Sequence, residues 1–377
     1  MESEITLESL GDARQIAVER ALGEFRAARP VAIRSAAKIV LAFPVEGLND
    51  KHMAFLQRED RNPRLIVPGE KLKAAGAWIR PPAAVRLKPF TLEKLDAYFA
   101  HHEKTSGAAA TDSADAAALA LANLAQLLPA VAVADAGANA LLALPILTVD
   151  AADILAFRDR AAKSLKIISR AFVPLEGAGR CEFVVFRGGD GFRDQIAVLV
   201  SGPSPSRPVL ARIHSACLTG DLFGSLKCDC GEQLRGTVRV MAELGGGVVL
   251  YLDQEGRGNG IANKMRAYRL QDQGFDTYDA DEMLGFGQDQ RRFDFAAEML
   301  KQLGFKSVRL MTNNPRKIDA LRHAGLEVVS THRVLTQPTA HNVNYLAAKR
   351  DKGGHLLGDT ALDGVDLGDL LTPAPQS

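Results

Sequence analysis

The chain is 377 residues long, which is more than one hydrophobic core usually organises, so the length predicts two domains. Hydrophobic residues make up 47% and charged residues 24% of the chain, the proportions of an ordinary globular protein, which excludes a largely disordered chain. The net charge of +1 argues against a general electrostatic surface for a nucleic acid polymer or a membrane, so any anion must be recognised by a local pocket.

The N-terminus and the cysteines indicate the compartment. The opening segment, MESEITLESLGDAR, is acidic and lacks a signal-peptide pattern, and no apolar run reaches about 18 residues. Four cysteines are too few for a disulfide framework, and three of them fall within fourteen positions, which favours metal binding in a reducing compartment. We therefore expect a cytoplasmic protein without a membrane partner. The fourth, Cys181, is expected to be a small buried residue of a strand.

The first half of the chain alternates between helical and strand patterns. Helical periodicity at residues 13–27 precedes two short strands, PVAIR and KIVLAFPVEG. The turn-rich stretch at residues 101–115 is interpreted as a loop or linker. An alanine-rich helix at residues 114–128, the strand AVAVAD and a helix at residues 151–164 follow. This half therefore predicts an α/β unit.

The pattern changes from about residue 167, and the runs CEFVVFR and QIAVLVSG predict adjacent antiparallel strands. Further helices are predicted at residues 231–243, 259–273, 290–303 and 315–324, and strands at residues 247–252, 307–311 and 326–330. The whole pattern predicts an α/β (mixed α+β) fold with two domains, each a mixed sheet with packed helices. We expect the domains to span residues 1–170 and 171–360, followed by a flexible tail at residues 361–377.

A cysteine motif predicts the metal. The segment CLTGDLFGSLKCDC holds Cys217, Cys228 and Cys230 at C-x10-C-x-C spacing, and three thiolates suit zinc. Structural zinc sites usually have four protein ligands, whereas catalytic sites keep one position for water, whose pKa the ion lowers to about 7. Two alternatives stay open: a structural site completed by His214, and chance clustering of buried thiols.

The residues around this motif resemble a known family. The runs RIHSACLTGDLFGSLKCDCGEQL, YLDQEGRGNGIANKMRAYRLQDQGFDT, LGFGQDQRRF and MTNNPRK are similar, in this order, to GTP cyclohydrolase II over about residues 175–357. The resemblance implies zinc-dependent hydrolysis of GTP to 2,5-diamino-6-(5-phosphoribosylamino)pyrimidin-4(3H)-one, formate and pyrophosphate, the first step of riboflavin biosynthesis. It also implies one Zn²⁺ per catalytic domain and Mg²⁺ with the triphosphate. We further expect a homodimer.

The same resemblance implies roles for individual residues. The three cysteines match the zinc ligands, Asp289 the proton acceptor, Arg291 the nucleophile toward the α-phosphate, and Tyr268 a tyrosine near the reacting ring. Contacts with the nucleotide are implied for Arg212, Ile213, His214, Ser215, Gln233, Glu255, Gly256, Arg257, Thr277, Thr312 and Lys317.

Some of these roles have a physical argument of their own. Glu255 could accept two hydrogen bonds from guanine N1–H and its exocyclic amine, and the alternative for this residue alone is a surface carboxylate. In TNNPRK, Asn314 can cap a helix that begins at Pro315, so that free N–H groups and Lys317 face an anion. The alternative is an ordinary capped surface helix.

The roles of Asp289 and Arg291 are less simple. Residues two apart do not share a helical face, so both reach one site more easily if a helix begins here, and Asp289 alone would be interpreted as an N-cap. A guanidinium keeps its proton and has no free lone pair, which disfavours a nucleophile. Electrostatic stabilisation of the leaving pyrophosphate is therefore an alternative role for Arg291.

Some positions depart from the family pattern. Many relatives have His and Arg where this chain has Leu252 and Asp253, and Glu where it has Ala216. His355 matches the end of the family pattern and is expected to be structural. These departures leave room for a paralogue that acts on a uracil nucleotide in pyrimidine catabolism, or for a non-catalytic, zinc-stabilised nucleotide-binding regulator.

The first half resembles 3,4-dihydroxy-2-butanone 4-phosphate synthase in ALGEFRAARPVAIR and ADAAALALANLAQLLPAVAV. That enzyme needs an acidic loop after its first strand to hold Mg²⁺ and move protons, but here only Glu46 is nearby. A histidine-containing motif is also replaced by TDSAD. We predict no synthase activity from this half, which leaves folding, dimerisation or positioning of the second domain as its role.

Overall fold

The computed structural model describes residues 11–58, 61–74, 82–85, 91–93, 95, 108–136, 146–188, 193–287, 289–334 and 351–352. Its α-helices are α1 (Ala13–Arg26), α2 (Asp50–Leu56), α3 (Gly69–Ala74), α4 (Ser113–Leu124), α5 (Ala151–Ala161), α6 (Cys230–Glu243), α7 (Ile261–Gln271), α8 (Thr277–Leu284), α9 (Asp294–Gln302) and α10 (Pro315–His323). Its strands are β1 (Val31–Arg34), β2 (Ile39–Pro44), β3 (Arg64–Val67), β4 (Ala83–Val85), β5 (Ala108–Ala110), β6 (Val131–Ala136), β7 (Thr148–Asp150), β8 (Lys166–Leu175), β9 (Gly179–Arg187), β10 (Gln195–Val200), β11 (Val209–Ser215), β12 (Gly247–Leu252), β13 (Ser307–Met311) and β14 (Glu327–His332).

The chain divides into two compact units. The first unit contains the described residues up to Arg160 together with Ala262–Phe275 and Asp279–Gln290. The second unit contains Ala161–Ile261, Asp276–Tyr278 and the described residues from Arg291 onward. Each unit has one seven-stranded sheet, which confirms the predicted mixed α/β fold class.

The sheet of the first unit has the strand order β5-β4-β3-β6-β2-β1-β7. Its strand pairs are antiparallel except β1 and β7, which are parallel. The interpretation of residues 101–115 as a loop or linker is wrong in part, because Ala108–Ala110 pairs with β4 and α4 begins at Ser113. Residues 101–107 lie outside the described part. Three alanines in a row carry no alternation of polar and apolar residues, so this strand had no periodic signal.

Capping and apolar spacing explain the predicted helices of this unit. Asp12 caps α1 by accepting a hydrogen bond from the N–H of Arg14 at 2.9 Å, and the buried face of α1 includes Val18, Leu22 and Phe25. Asp112, from the TDSAD segment, caps α4 in the same way.

The sheet of the second unit has the order β14-β13-β11-β12-β10-β9-β8. The strands β14, β13, β11 and β12 run parallel, and β10, β9 and β8 continue the sheet in antiparallel pairs, as CEFVVFR and QIAVLVSG predicted. Residue 170, at which the boundary was expected, lies inside β8, so the change from one sheet to the other precedes it. Cys181 is fully buried in β9, as predicted.

The first unit holds two later segments of the chain through specific contacts. Lys71, only 2% exposed, donates from Nζ to the carbonyl oxygen of Met283 at 3.0 Å. Asn263 Nδ2 donates to the carbonyl oxygen of Gln126 at 3.1 Å. Gly285 has a φ of +91°, and a Cβ added there would lie 2.9 Å from Pro68 Cγ. Residues on both sides of α8 therefore pack with residues from the first 130 positions.

No helix of the described residues is long and apolar enough to cross a membrane.

The buried Lys71 makes stability depend on pH. Burial lowers the pKa of Lys71 from 10.5 to about 8, so between these values the unfolded chain binds a proton that the folded chain does not. The free energy of unfolding of the native chain should therefore rise with pH across this window, by up to roughly 3 kcal/mol relative to Lys71→Met. Chemical unfolding followed by circular dichroism from pH 7.5 to 10.5 measures this difference.

The exposed Lys51 in α2 supplies the control, because Lys51→Met should keep the pH dependence of the native chain. An identical pH dependence in the native chain and Lys71→Met would contradict the buried position of Lys71.

Candidate active site

The candidate site lies where three parallel strands of the second unit end. β11 lies between β12 and β13 and runs parallel to both, so their carboxyl ends meet at one edge of the sheet. In open α/β sheets ligands bind outside this edge. Cys217, Glu255 and Thr312 each follow one of these strands within a few residues. One predicted metal ligand and two predicted nucleotide contacts therefore follow strands that end at the same edge of the sheet.

Three thiols come together at this edge. The sulfur atoms of Cys217, Cys228 and Cys230 all lie within 4.8 Å of one another, and the Sγ atoms of Cys217 and Cys228 are 3.6 Å apart. Among the described residues these three form the one group of histidine, cysteine and acidic side chains with metal-site spacing. Cys217 follows β11, whereas Cys230 is the first residue of α6, where the helix dipole favours a thiolate.

The donor set fits a zinc ion. The close contact with the Cys217 thiol raises the pKa of Cys228 to about 11, so without a cation the cluster keeps protons that a metal would displace. His214 does not complete the cluster, because neither of its ring nitrogens belongs to the group of closely spaced ligand atoms, and its Nε2 lies 3.1 Å from both carboxylate oxygens of Asp221. This arrangement disfavours the closed four-ligand site and leaves a three-thiol set.

A glycine makes the close approach of the thiols possible. The π-helical turn Leu218–Leu222 follows the first cysteine. A Cβ on Gly220, within this turn, would lie 2.8 Å from the Cys228 sulfur and 3.1 Å from the Cys217 sulfur. A side chain at this position would therefore push the sulfur atoms out of place.

Asp221 of the same turn joins several parts of the site. Its Oδ2 accepts hydrogen bonds from the N–H of Cys217 and from the hydroxyl of Tyr251, both at 3.0 Å. The rings of His214 and Tyr251 stack with their centroids 5.5 Å apart. Burial and the nearby Asp221 carboxylate raise the pKa of Tyr251, so its hydroxyl keeps its proton and can donate.

A buried arginine lies beside the thiols. Arg212, 5% exposed, donates to Gln233 Oε1 at 2.5 Å and to the carbonyl oxygen of Met311 at 3.2 Å. Gln233 in turn donates to Asp229 at 2.5 Å. Burial lowers the pKa of Arg212 to about 10, so it remains a cation at neutral pH. The Nε of Arg212 has no hydrogen-bond partner within the described part of the chain.

Glu255 is fixed by backbone groups. It is 5% exposed, and its carboxylate oxygens accept the N–H of Leu218 at 2.5 Å and the N–H of Gly256 at 2.8 Å. Glu255 is therefore not a free surface carboxylate.

Arg257 connects the glycine-rich turn to Thr277. Its backbone has a φ of +60°, which is unusual for a residue with a side chain. Its guanidinium donates to the carbonyl oxygen of Thr277 at 2.7 Å and lies 4.4 Å from the centre of the Tyr278 ring. The structure therefore brings Arg257 and Thr277, two of the predicted nucleotide contacts, into direct contact.

The TNNPRK segment forms the predicted capped helix, but its lysine has a different position from the one expected. Asn314 caps α10 by accepting the N–H of Arg316 at 3.0 Å, and Pro315 begins the helix. Lys317, 7% exposed, donates to the carbonyl oxygen of Ile213 at 2.7 Å instead of extending from the surface. Thr312 Oγ1 accepts the N–H of Asn314 at 3.0 Å. These residues are buried at the strand ends, so the ordinary surface helix is excluded.

The expectation that a helix begins at residue 290, with Asp289 as its N-cap, is wrong. α9 begins at Asp294, with Phe293 at its N-cap, so Asp289 and Arg291 precede the helix by several residues. Arg292 pairs with Asp294, which supplies the negative charge in the first turn of the helix. Asp289 therefore does not cap α9.

Three residues with implied catalytic roles fall in different units. Tyr268 in α7 and Asp289 belong to the first unit, whereas Arg291 belongs to the second unit. The Arg291 guanidinium lies 5.4 Å from the centre of the Phe293 ring, and Lys264 Nζ lies 5.7 Å from the Tyr268 ring. The roles of the three residues stay predictions.

The departures from the family pattern have local explanations. Leu252 is fully buried and accepts the N–H of Ala216 through its carbonyl oxygen at 2.8 Å. Asp253 accepts a hydrogen bond from Arg193 at 2.7 Å. Neither side chain belongs to the thiol group. His355 and the tail at residues 361–377 lie outside the described residues.

A cavity of about 970 Å³ borders α6, and its described lining is mostly apolar. Its wall includes Phe183, Ile196, Leu234 and Val238, with Tyr251 as the one lining residue shared with the Asp221 contacts. None of the residues assigned to the nucleotide or to the metal lies on this wall. The candidate site therefore lies at the strand ends, and this cavity is not part of it.

Comparisons with known proteins agree with the motifs. The family model for GTP cyclohydrolase II matches residues 166–333. A GTP cyclohydrolase-2 from Xylella fastidiosa (strain Temecula1) is 40% identical over 358 residues, which cover 93% of this chain and 90% of that relative. This chain belongs to the GTP cyclohydrolase II family. The family prediction and the predicted enzyme class are confirmed at this level.

Two further similar proteins match a smaller part of this chain. A GTP cyclohydrolase-2 from Azospirillum brasilense is 48% identical over 250 residues, 65% of each chain, so the match spans just under two thirds of that relative. The riboflavin biosynthesis protein RibBA from Chlorobium phaeovibrioides is 42% identical over 205 residues, 54% of this chain and 50% of that relative.

Sequence reasoning missed several residues of the site. Asp221 and Gly220 lie inside the cysteine motif, and the ten-residue spacing drew attention only to its ends. Asp229 lies between two cysteines, and Tyr251 resembles one more apolar position of a buried strand. The one available signal was the presence of an acidic residue inside a predicted metal-binding loop. Such a residue often orients a metal ligand by hydrogen bonding to it.

Gly220 gives a direct test of the cluster. Gly220→Ala should lower zinc affinity by at least about tenfold, because the new methyl group would displace two sulfur ligands. Competition with a chromogenic chelator measures the affinity. Gly236→Ala is the matched control, because Gly236 in α6 has nothing within 4 Å of an added Cβ. Equal zinc affinity in the two variants would contradict the arrangement.

Proposed function

We propose that this chain is a zinc-dependent GTP cyclohydrolase II that converts GTP to 2,5-diamino-6-(5-phosphoribosylamino)pyrimidin-4(3H)-one, formate and pyrophosphate. The observation that carries the proposal is the three-thiol group at the ends of parallel strands. Membership of the family and buried polar side chains around this group support it.

Cys217, Cys228 and Cys230 would hold the zinc ion, one per catalytic domain. When bound there, zinc would supply Lewis acidity for the activation of a water molecule at neutral pH. Glu255, whose carboxylate accepts two backbone N–H groups, would recognise guanine by accepting hydrogen bonds from N1–H and the exocyclic amine. Because two N–H groups fix its carboxylate, little ordering would be needed when the base binds.

Cations around the strand ends would bind the triphosphate together with Mg²⁺. Arg212 supplies a buried positive charge with an Nε that lacks a partner in the described chain, and Lys317 supplies a second buried charge. Gln233, Thr277 and Thr312, with the backbone from Ile213 to Ser215 and at Gly256, would complete the contacts. Ser215 Oγ is buried without a described hydrogen-bond partner, so a nucleotide oxygen could satisfy it.

The remaining assignments concern proton transfer and phosphate chemistry. Asp289 would accept a proton and Tyr268 would lie near the reacting ring. For Arg291 we propose electrostatic stabilisation of the leaving pyrophosphate, since a guanidinium keeps its proton.

We propose that residues 1–170 include a non-catalytic domain whose retained role is to hold the segments that carry Tyr268 and Asp289. The support is that the first unit includes the segments that carry Tyr268 and Asp289. Glu46, the one acidic residue near the expected loop, is engaged with the N–H of Leu128 at 2.5 Å and with Arg266 at 3.2 Å. A carboxylate with these partners is poorly placed to hold Mg²⁺ for synthase chemistry.

A charge network in the same unit supports the same proposal. Arg64, 5% exposed, makes two hydrogen bonds to Asp115 and one to Asp135. Lys38 lies 2.6 Å from Asp112. The acidic side chains of this region are thus neutralised by basic ones, which suits a structural role.

Assembly and compartment are further parts of the proposal. We propose a cytoplasmic homodimer without a nucleic acid or membrane partner. All four cysteines are free in the structure, which suits a reducing compartment.

Turnover tests the proposed function. Purified protein incubated with GTP, Mg²⁺ and Zn²⁺ should release formate and pyrophosphate in equal amounts, measured by coupled assays. Turnover of a uracil nucleotide without turnover of GTP would support the paralogue instead. Nucleotide binding without turnover of either would support the regulator.

The ligand set is tested by removing one thiol. Cys228→Ser should lose bound zinc and turnover together and keep the circular dichroism spectrum of the native chain, because Cys228 is only partly buried and lies just before α6. The control is Cys181→Ala, which removes a buried thiol outside the cluster and should retain zinc. Global unfolding of Cys228→Ser would indicate a structural metal instead.

A further inference from the structure

Asp221 holds both backbone polar groups of the first cysteine. Its own N–H donates to the carbonyl oxygen of Cys217 at 2.7 Å, and its Oδ2 accepts the N–H of Cys217 at 3.0 Å. The side chain of Asp221 is only 8% exposed, so little water competes for these contacts. The direction in which Cys217 presents its sulfur therefore depends on Asp221.

The same carboxylate determines how His214 is protonated. The N–H of Cys217 and the hydroxyl of Tyr251 both donate to Oδ2, so Asp221 acts as an acceptor toward its neighbours. His214 Nε2 lies 3.1 Å from each carboxylate oxygen and must then be the donor. In a neutral ring the proton is on Nε2, and Nδ1 is left as an acceptor.

Contacts around the ring prevent it from changing its partner. His214 is 3% exposed, and its ring stacks on Tyr251 with an interplanar angle of 16°. Rotation of the ring would break both the stacking and the hydrogen bond to Asp221. Burial, together with the positive charges of Arg212 and Lys317, lowers the pKa of His214 and so disfavours a cationic ring.

We propose that Asp221 is a positioning residue with two effects: it fixes the first zinc ligand through the Cys217 backbone, and it holds His214 as the Nε2–H tautomer. The consequence for binding rests on the proposed function. A ring that offers Nδ1 as an acceptor pairs with a donor, such as a ribose hydroxyl or an N–H of the base, and not with a phosphate oxygen.

Two substitutions separate the two effects. Asp221→Asn keeps an oxygen for the Cys217 N–H but offers His214 an amide N–H, so His214 should change to the Nδ1–H tautomer while zinc affinity changes by less than about threefold. Asp221→Ala removes the acceptor for Cys217 and should lower zinc affinity by about ten- to a hundredfold. Tyr251→Phe is the matched control, since it removes one donor and leaves the carboxylate, so the tautomer should stay Nε2–H.

Long-range ¹H–¹⁵N NMR of the ¹⁵N-histidine-labelled, zinc-loaded full chain reports the tautomer, with His214 assigned among the eight histidines by His214→Gln. Chelator competition reports zinc affinity. An Nδ1–H tautomer in the native protein would overturn the proposal, and so would native zinc affinity in Asp221→Ala. If Asp221→Ala fails to fold, the native spectrum and Asp221→Asn still decide the tautomer. Neither readout requires turnover, so failure of the proposed function would be seen separately.

Discussion

The convergence of three thiols at the ends of parallel strands is the constraint on which the site depends. Sulfur atoms this close hold protons unless a cation replaces them, and the raised pKa of Cys228 reflects their proximity. Gly220 leaves the space that the sulfur atoms need, and Asp221 fixes the first of them through its backbone. Two residues of the loop between the first two cysteines are thereby explained by one requirement, which is to bring three thiols close together.

The sequence predicted the thiol group and the family more fully than it predicted the local structure around them. The count and spacing of the cysteines indicated the thiol group, and the long motifs indicated the family, because both signals are local in the sequence. The contacts of Lys317 and Glu255 could not be predicted, since both depend on strands that meet only in the folded sheet. The predicted start of α9 was several residues too early, because Asp289 is a residue type that often caps helices. The acidic residue in the first turn of the helix is Asp294.

The first half illustrates a different limit. Its helices and strands followed from periodicity and capping, but β5 consists of alanines alone and carried no pattern. The inclusion of residues 262–275 and 279–290 in the first unit could not be read from local sequence, because it depends on contacts such as Lys71 with Met283. The first unit therefore holds two segments from the second half of the chain, and these carry Tyr268 and Asp289.

X-ray absorption at the zinc edge of the purified full-length protein tests the central claim most directly. An open three-thiolate site predicts three sulfur scatterers at about 2.3 Å and one light scatterer at about 2.0 Å from a single zinc ion. Multiple scattering from an imidazole ring, or a fourth sulfur, would show a closed structural site and contradict the account.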